Sequence, residues 1–214
     1  MLSAEQRAFT DLLHRRAALK FGDFTLKSGR KSPYFINTGC FNQGGDLERL
    51  GSAYAATIRA SFGDDIAVVF GPAYKGIPLA LAAAQAYERL VNRPVGWTYD
   101  RKEAKDHGDG GVFVGAPLAP GTRVVIVDDV ITAGTALRET VTKLRPTGVT
   151  LVGAVVSVDR QEKGQGNKPA LREIAEDCGL PVTPIITISE AVDHLSATGA
   201  LSADDVARVR AHLG

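Results

Sequence analysis

The sequence predicts an α/β fold: a central parallel sheet flanked by helices, with a small cap formed by about residues 1–40. Two observations predict the sheet. Runs at residues 66–70, 123–127 and 149–158 are almost continuously apolar, as strands buried on both faces are. Segments with apolar residues at helical spacing alternate with them, the strand–loop–helix repeat that right-handed crossovers require. A third observation sets the cap apart: Phe24 and Leu26 alternate with polar residues, residues 28–31 read as a turn, and Tyr34 and Ile36 resume the alternation. That pattern describes a short antiparallel unit.

The elements follow in order. Ser3 and Gln6 match a capping box, and Phe9, Leu12 and Leu13 follow at helical spacing, so a first helix begins near Ser3. Leu47, Leu50, Tyr54 and Ile58 predict a second helix. Strand 66–70 leads through Gly71 and Pro72 into a helix over 77–91, and residues 95–99 are a further strand. Strand 123–127 precedes a helix over about 135–144, and strands at 149–158 and 182–188 follow with helices between and after them. Ser202 and Asp205 open a terminal helix with a second capping box. No internal repeat or composition break divides the 214 residues, so residues 1–214 read as one domain.

Composition excludes several classes. Hydrophobic residues are 44% and charged residues 23%, enough to build a core without marking disorder. A net charge of +1 lacks the basic excess of a general nucleic-acid binder, so no nucleic-acid partner is expected. The longest apolar stretches, such as residues 79–84, fall far short of the roughly 20 residues of a membrane span. No secretory signal is visible, and Cys40 and Cys178 form no Cys-x-x-Cys pattern; the expectation is a cytoplasmic chain without a disulfide framework or structural zinc site. The four histidines show no metal-binding spacing, so no protein metal ligands are assigned.

In an open parallel sheet the ligand site lies beyond the carboxyl ends of the strands, here the loops after Phe70, Tyr99 and Val127. The third is the most informative. A buried strand runs into Asp128 and Asp129, then Val130, Ile131, Thr132, Ala133, Gly134, Thr135 and Ala136, where a helix starts. Small residues let backbone amides close around an anion, the helix N-terminus adds partial positive charge, and the Thr132 and Thr135 hydroxyls add donors. The lysine of a nucleoside-triphosphatase phosphate loop is missing. Two carboxylates at the strand end accept from a vicinal diol, so the acids and the cradle together describe a ribose 5-phosphate site. The plainer alternative is an acid pair that only caps the helix or binds solvent.

This stretch resembles the phosphoribosyl diphosphate motif of the type I phosphoribosyltransferases. Residues 24–35, 71–76 and 101–108, together with Ser157 to Arg160, resemble in order the segments of the orotate-using branch of that family. The likeness runs from about residue 20 to 160 and is weaker over 161–214. It implies transfer of ribose 5-phosphate from 5-phospho-α-ribose 1-diphosphate (PRPP) to orotate, giving orotidine 5′-monophosphate and diphosphate in pyrimidine biosynthesis. Mg²⁺ held mainly through PRPP and a homodimer with a shared site are implied as well.

Roles carry over on matching positions. The resemblance places PRPP on Lys27, Tyr74, Lys75, Arg101, Lys102, Lys105, His107 and residues 128–136, and orotate on Tyr34, Phe35, Thr132 and Arg160. Lys105, His107, Asp128 and Asp129 are the implied catalytic groups. Residues alone leave alternatives beside these. Tyr34 and Phe35 fit a core strand, Lys27 and Arg160 fit a solvated surface, and residues 71–76 fit an ordinary turn. Residues 100–111 carry three Lys or Arg against four Asp or Glu, the composition of a mobile solvated loop, where the resemblance implies a catalytic lid partly supplied by a partner subunit. Asp109 stands for a longer acid there. Two rivals remain: a sister transferase with another base as acceptor, and a non-catalytic regulator on the same fold.

Overall fold

The computed structural model describes residues 1–25, 29–105, 111–130, 134–164, 166 and 168–214. Among them the elements run α1 (Ala4–Arg15), β1 (Leu19–Thr25), β2 (Lys31–Ile36), α2 (Gly44–Phe62), β3 (Val68–Phe70), α3 (Gly76–Val91) and β4 (Gly96–Lys105). They continue as β5 (Gly111–Gly115), β6 (Arg123–Asp128), α4 (Thr135–Leu144), β7 (Thr150–Asp159), α5 (Ala170–Cys178), β8 (Val182–Thr187), α6 (Ile188–Ala197) and α7 (Ala203–Leu213). The central sheet has the order β5-β4-β3-β6-β7-β8, and β1 and β2 pair antiparallel as a separate ribbon.

The α/β architecture read from the sequence is present, with one correction. The sheet is mostly parallel rather than wholly so, because β5 joins its edge antiparallel to β4, with Tyr99 opposite Val114 and Asp100 opposite Phe113. Residues 100–105, whose charge suggests a solvated loop, continue β4 instead. Backbone pairing of Asp100 with Phe113 and of Lys105 with Gly111, across an irregularity, holds this stretch to β5, so a strand forms despite a polar sequence. Strand β3 is shorter than its apolar run, since Ile66 is buried but unpaired in the ladder and pairing starts at Val68. At the other edge β8 ends at Thr187, whose side chain and that of Glu190 form a capping box, so Ile188 opens α6 instead of closing the strand.

Pleating divides the core. Val69, Val125, Val127 and Val155 face one apolar cluster, which takes in α1, α2, α3, α6 and α7. Val68, Phe70, Val124, Ile126 and Val156 face the other, closed by Leu137, Val141, Leu171 and Ile174 of α4 and α5. Helices therefore cover both faces, which is why the strands are apolar without alternation. The capping box of α1 forms, Gln6 N donating to Ser3 Oγ at 3.1 Å and Ser3 N to Gln6 Oε1 at 2.9 Å. In α7, Ser202 caps through Asp205 N at 3.1 Å, and the Asp205 carboxylate takes the Ser202 hydroxyl, 2.6 Å. The β1–β2 ribbon rests on α7, where Arg208 pairs with Asp23 and His212 meets the Tyr34 ring edge-on, centroids 5.9 Å apart.

Helices α2 and α3 approach closely at Gly51, where a Cβ would meet the Ala82 carbonyl oxygen at 2.4 Å. In an exposed helix, replacing Gly by Ala stabilises by about 1 kcal/mol. Here Gly51→Ala forces the helices apart, and we expect a loss of about 1–3 kcal/mol, read as a lower urea midpoint at unchanged slope.

Candidate active site

The acid pair is held by its backbone. Residues 124–127 of β6 are wholly buried and deliver Asp128 and Asp129 to the strand end, where Asp129 is 8% exposed. The Tyr54 hydroxyl of α2 donates to the Asp128 carbonyl at 2.7 Å. Ser157 of β7 donates to the Asp129 carbonyl through both its amide, 2.9 Å, and its hydroxyl, 3.2 Å. Asp128 Oδ1 turns back to accept the Asp129 amide at 2.8 Å. On the open side Lys75 Nζ lies 3.0 Å from Asp129 Oδ2. Asp129 Oδ1 is buried without a hydrogen-bond partner among the described residues.

That environment moves the acid's titration. Burial pushes the Asp128 carboxyl up to about 6; the adjacent Asp129 charge adds to the rise, while the Asp129 amide and Lys75 oppose it. Burial, with the charges of Asp129 and Asp128, raises the Tyr54 phenol well above its ordinary range, so it stays a neutral donor.

Beside the acids, the chain from β3 to α3 turns sharply. A Cβ on Gly71 would meet the Gly76 carbonyl oxygen at 2.0 Å, so only glycine fits where the loop's two ends touch. The Ala73–Tyr74 peptide is cis. Tyr74 projects, 72% exposed, and Lys102 of β4 lies 5.9 Å from the centre of its ring, within reach of a cation–π attraction. Arg101 Nη1 donates to the Gly111 carbonyl at 3.2 Å, tying β4 to β5. Across the site, Gly134 caps α4 at φ +72°, and a Cβ there would meet Ile174 of α5 at 2.4 Å. Glycine at this position lets the helix start against α5 with Thr135 and Ala136 exposed.

A second cluster joins β2 to the end of β7. Tyr34 is fully buried, its hydroxyl 2.7 Å from the Arg160 carbonyl and 3.0 Å from Glu162 Oε1. The Arg160 guanidinium lies 4.8 Å over the Tyr34 ring and donates to Glu162 Oε1 from Nη2 at 2.6 Å and Nε at 3.1 Å. Burial pushes the Glu162 carboxyl up, but the hydrogen bond and charge of Arg160, with Tyr34 and Arg30, outweigh it and hold it below its usual value. Phe35 is the exposed member of the aromatic pair and stacks on Phe24 at 5.6 Å.

Residues 40–172 match the family profile described as Phosphoribosyl transferase domain. Orotate phosphoribosyltransferase of Lachnoclostridium phytofermentans is 48% identical over 191 residues, covering 89% of this chain and 85% of that protein. The enzyme of the same name from Nitrosococcus oceani is 49% identical over 194 residues, covering 91% and 87%. The chain belongs to the orotate phosphoribosyltransferases. The crystal structure of orotate phosphoribosyltransferase from Francisella tularensis superposes with a TM-score of 0.81 at 37% identity, covering 95% of this chain and 96% of that one.

Of the residues that suggested an orotate phosphoribosyltransferase, the structure gathers Asp128, Asp129 and Lys75 in direct contact, and Tyr74 with Lys102. It sets Tyr34 and Arg160 in the second cluster. Lys27, His107, Ile131, Thr132 and Ala133 lie outside the described residues, as does the Lys105 side chain. Sequence reasoning missed the supports: Tyr54 counts as core in a helical pattern, Ser157 carries no role, and Glu162 stands outside the matched segments. An acid two residues after Arg160 was the one local signal available.

The Asp128 titration has a sign. Its folded value of about 6 lies above its ordinary 3.8, so the native state keeps a proton that the unfolded chain has released. Stability from this residue is present at low pH and falls as pH rises toward and past 6, by about 3 kcal/mol in total. Asp128→Asn keeps the acceptor for the Asp129 amide and removes the titration. We expect its thermal midpoint to rise relative to the parent chain between pH 4 and pH 7, while catalytic activity collapses.

Proposed function

We propose that this chain transfers ribose 5-phosphate from PRPP to orotate, giving orotidine 5′-monophosphate and diphosphate for pyrimidine nucleotide synthesis. The observation that carries this reading is the arrangement at the end of β6. Two carboxylates anchored by their backbone face a lysine on the β3–α3 loop and a helix N-terminus whose cap residue, Gly134, offers no side chain to its amides. Acids suited to ribose hydroxyls beside donors suited to phosphate describe a phosphorylated ribose, and the family supplies the acceptor.

Breaking the anomeric bond builds positive charge on ribose and negative charge on the diphosphate. Asp128 and Asp129 hold the ribose and favour the first; Lys75, Arg101, Lys102 and Lys105, with Tyr74 and His107, meet the second. Residues 130–136 bind the 5-phosphate, and Lys27 meets PRPP. Orotate lies against Phe35 and Thr132, beside Tyr34, with its carboxylate on Arg160, which Tyr34 and Glu162 hold in place. The buried Asp129 Oδ1, without a hydrogen-bond partner among the described residues, fits a magnesium ion bound chiefly by substrate. When bound, Mg²⁺ would neutralise diphosphate charge.

Assembly as a homodimer with a shared site is supported by apolar side chains left exposed around β4 and β5: Tyr74, Leu81, Trp97 and Val112. A cytoplasmic setting agrees with Cys40 and Cys178, both free thiols. No helix among the described residues is long and apolar enough to cross a membrane.

Near-ultraviolet absorbance of orotate, followed with purified chain, PRPP and Mg²⁺, tests the reading. A loss requiring all components, with orotidine 5′-monophosphate and diphosphate formed, is expected; PRPP binding without orotate consumption, but with consumption of another base, overturns the acceptor. Lys105→Ala should lower turnover by about 100-fold or more, with orotate binding changed less than about twofold. Equal losses in both would remove Lys105 from the leaving-group side.

A further inference from the structure

We propose that Asp100 and Lys143 form a positioning pair that sets the β3–α3 loop, and through it Lys75, for the diphosphate of PRPP; this rests on the transferase reading above. Thr98 is the last residue of β4 to pair with β3, and its carbonyl accepts the Gly71 amide at 3.0 Å. Two residues on, Asp100 has β5 on one side and the β3–α3 loop on the other. Asp100 Oδ1 accepts the Ala73 amide at 2.8 Å, two residues before Lys75, and Oδ2 is paired with Lys143 from the last turn of α4.

A carboxylate that is 4% exposed is costly unless its charge is met, and filling the end of a sheet needs no acid. What an acid adds is a strong, directional acceptor for one loop amide. What it threatens is a negative charge behind a loop whose exposed lysine faces Asp129 and, on this reading, a polyanionic substrate. Lys143 removes that threat. The pair also joins the two segments that flank the site, since α4 begins just after Gly134 and reaches Asp100 from its far end. Asp100 and Lys143 touch no reacting atom; they act through Ala73 and Lys75.

Steady-state kinetics of the full chain carrying Asp100→Ala, Asp100→Asn, Lys143→Met and the combination of the last two test the pair. Asp100→Ala should raise the KM for PRPP about 10- to 100-fold, the range of one charge-assisted hydrogen bond, while the KM for orotate moves less than about twofold. Asp100→Asn keeps an oxygen for the Ala73 amide and should recover most of that loss. Lys143→Met should weaken PRPP binding when Asp100 is intact and be nearly silent when combined with Asp100→Asn, because the charge it balances is gone. Equal shifts for both substrates, or a Lys143→Met penalty of the same size with and without Asp100→Asn, would overturn the proposal. If Asp100→Ala does not fold, Asp100→Asn, Lys143→Met and their combination decide the matter on the same criteria. A parent chain that fails to consume orotate overturns the transferase reading alone; the same pattern is then sought in the dissociation constant of PRPP by calorimetry.

Discussion

Two neighbouring carboxylates in a place with little water must be held by something other than their own charges, which repel. Asp128 and Asp129 are held by their peptide backbone: a tyrosine hydroxyl from α2 takes one carbonyl and a serine from β7 takes the next. The consequence runs outward. With the carbonyls engaged behind, the side chains face the open end of the sheet, where Lys75 reaches one of them. The β3–α3 loop must then pass close enough to bring that lysine in, and the Gly71–Gly76 contact makes it do so. Such preorganisation sets charge before substrate arrives, so no reorganisation is needed during the reaction.

Strand length matters in the same way. Only Val68, Val69 and Phe70 of β3 pair with both neighbours, so the loop after it drops between the longer β4 and β6. The dip between taller strands is where Lys75, Tyr74, Lys102 and the acids converge. It is the crevice that a doubly covered sheet leaves at its carboxyl edge.

The helices and buried strands were legible because helical spacing, capping residues and unbroken apolar runs are local signals. Asp128 and Asp129 were legible for a related reason: acids directly after a buried run have no place in a core. Strand β5 was not. Its burial is shallow on both faces, and it is held by backbone pairing to a charged segment, which no side-chain pattern records. The supports were hidden by distance along the chain. Tyr54 meets its partner 74 residues on, and Asp100 meets Ala73 27 residues back, so neither residue differs locally from ordinary core or surface. Arg160 shows the middle case, its identity readable and its clasp by Tyr34 and Glu162 visible only in three dimensions.

The β1–β2 ribbon carries a last consequence, in the order of assembly. Apart from α1, which precedes it, the ribbon packs on Arg160 and Glu162 just after β7 and on Arg208 and His212 of α7, each more than a hundred residues later. During synthesis the ribbon leaves the ribosome long before any of them exists. Its contacts with Arg160, Glu162 and α7 must wait for most of the chain, so an early-born piece closes late.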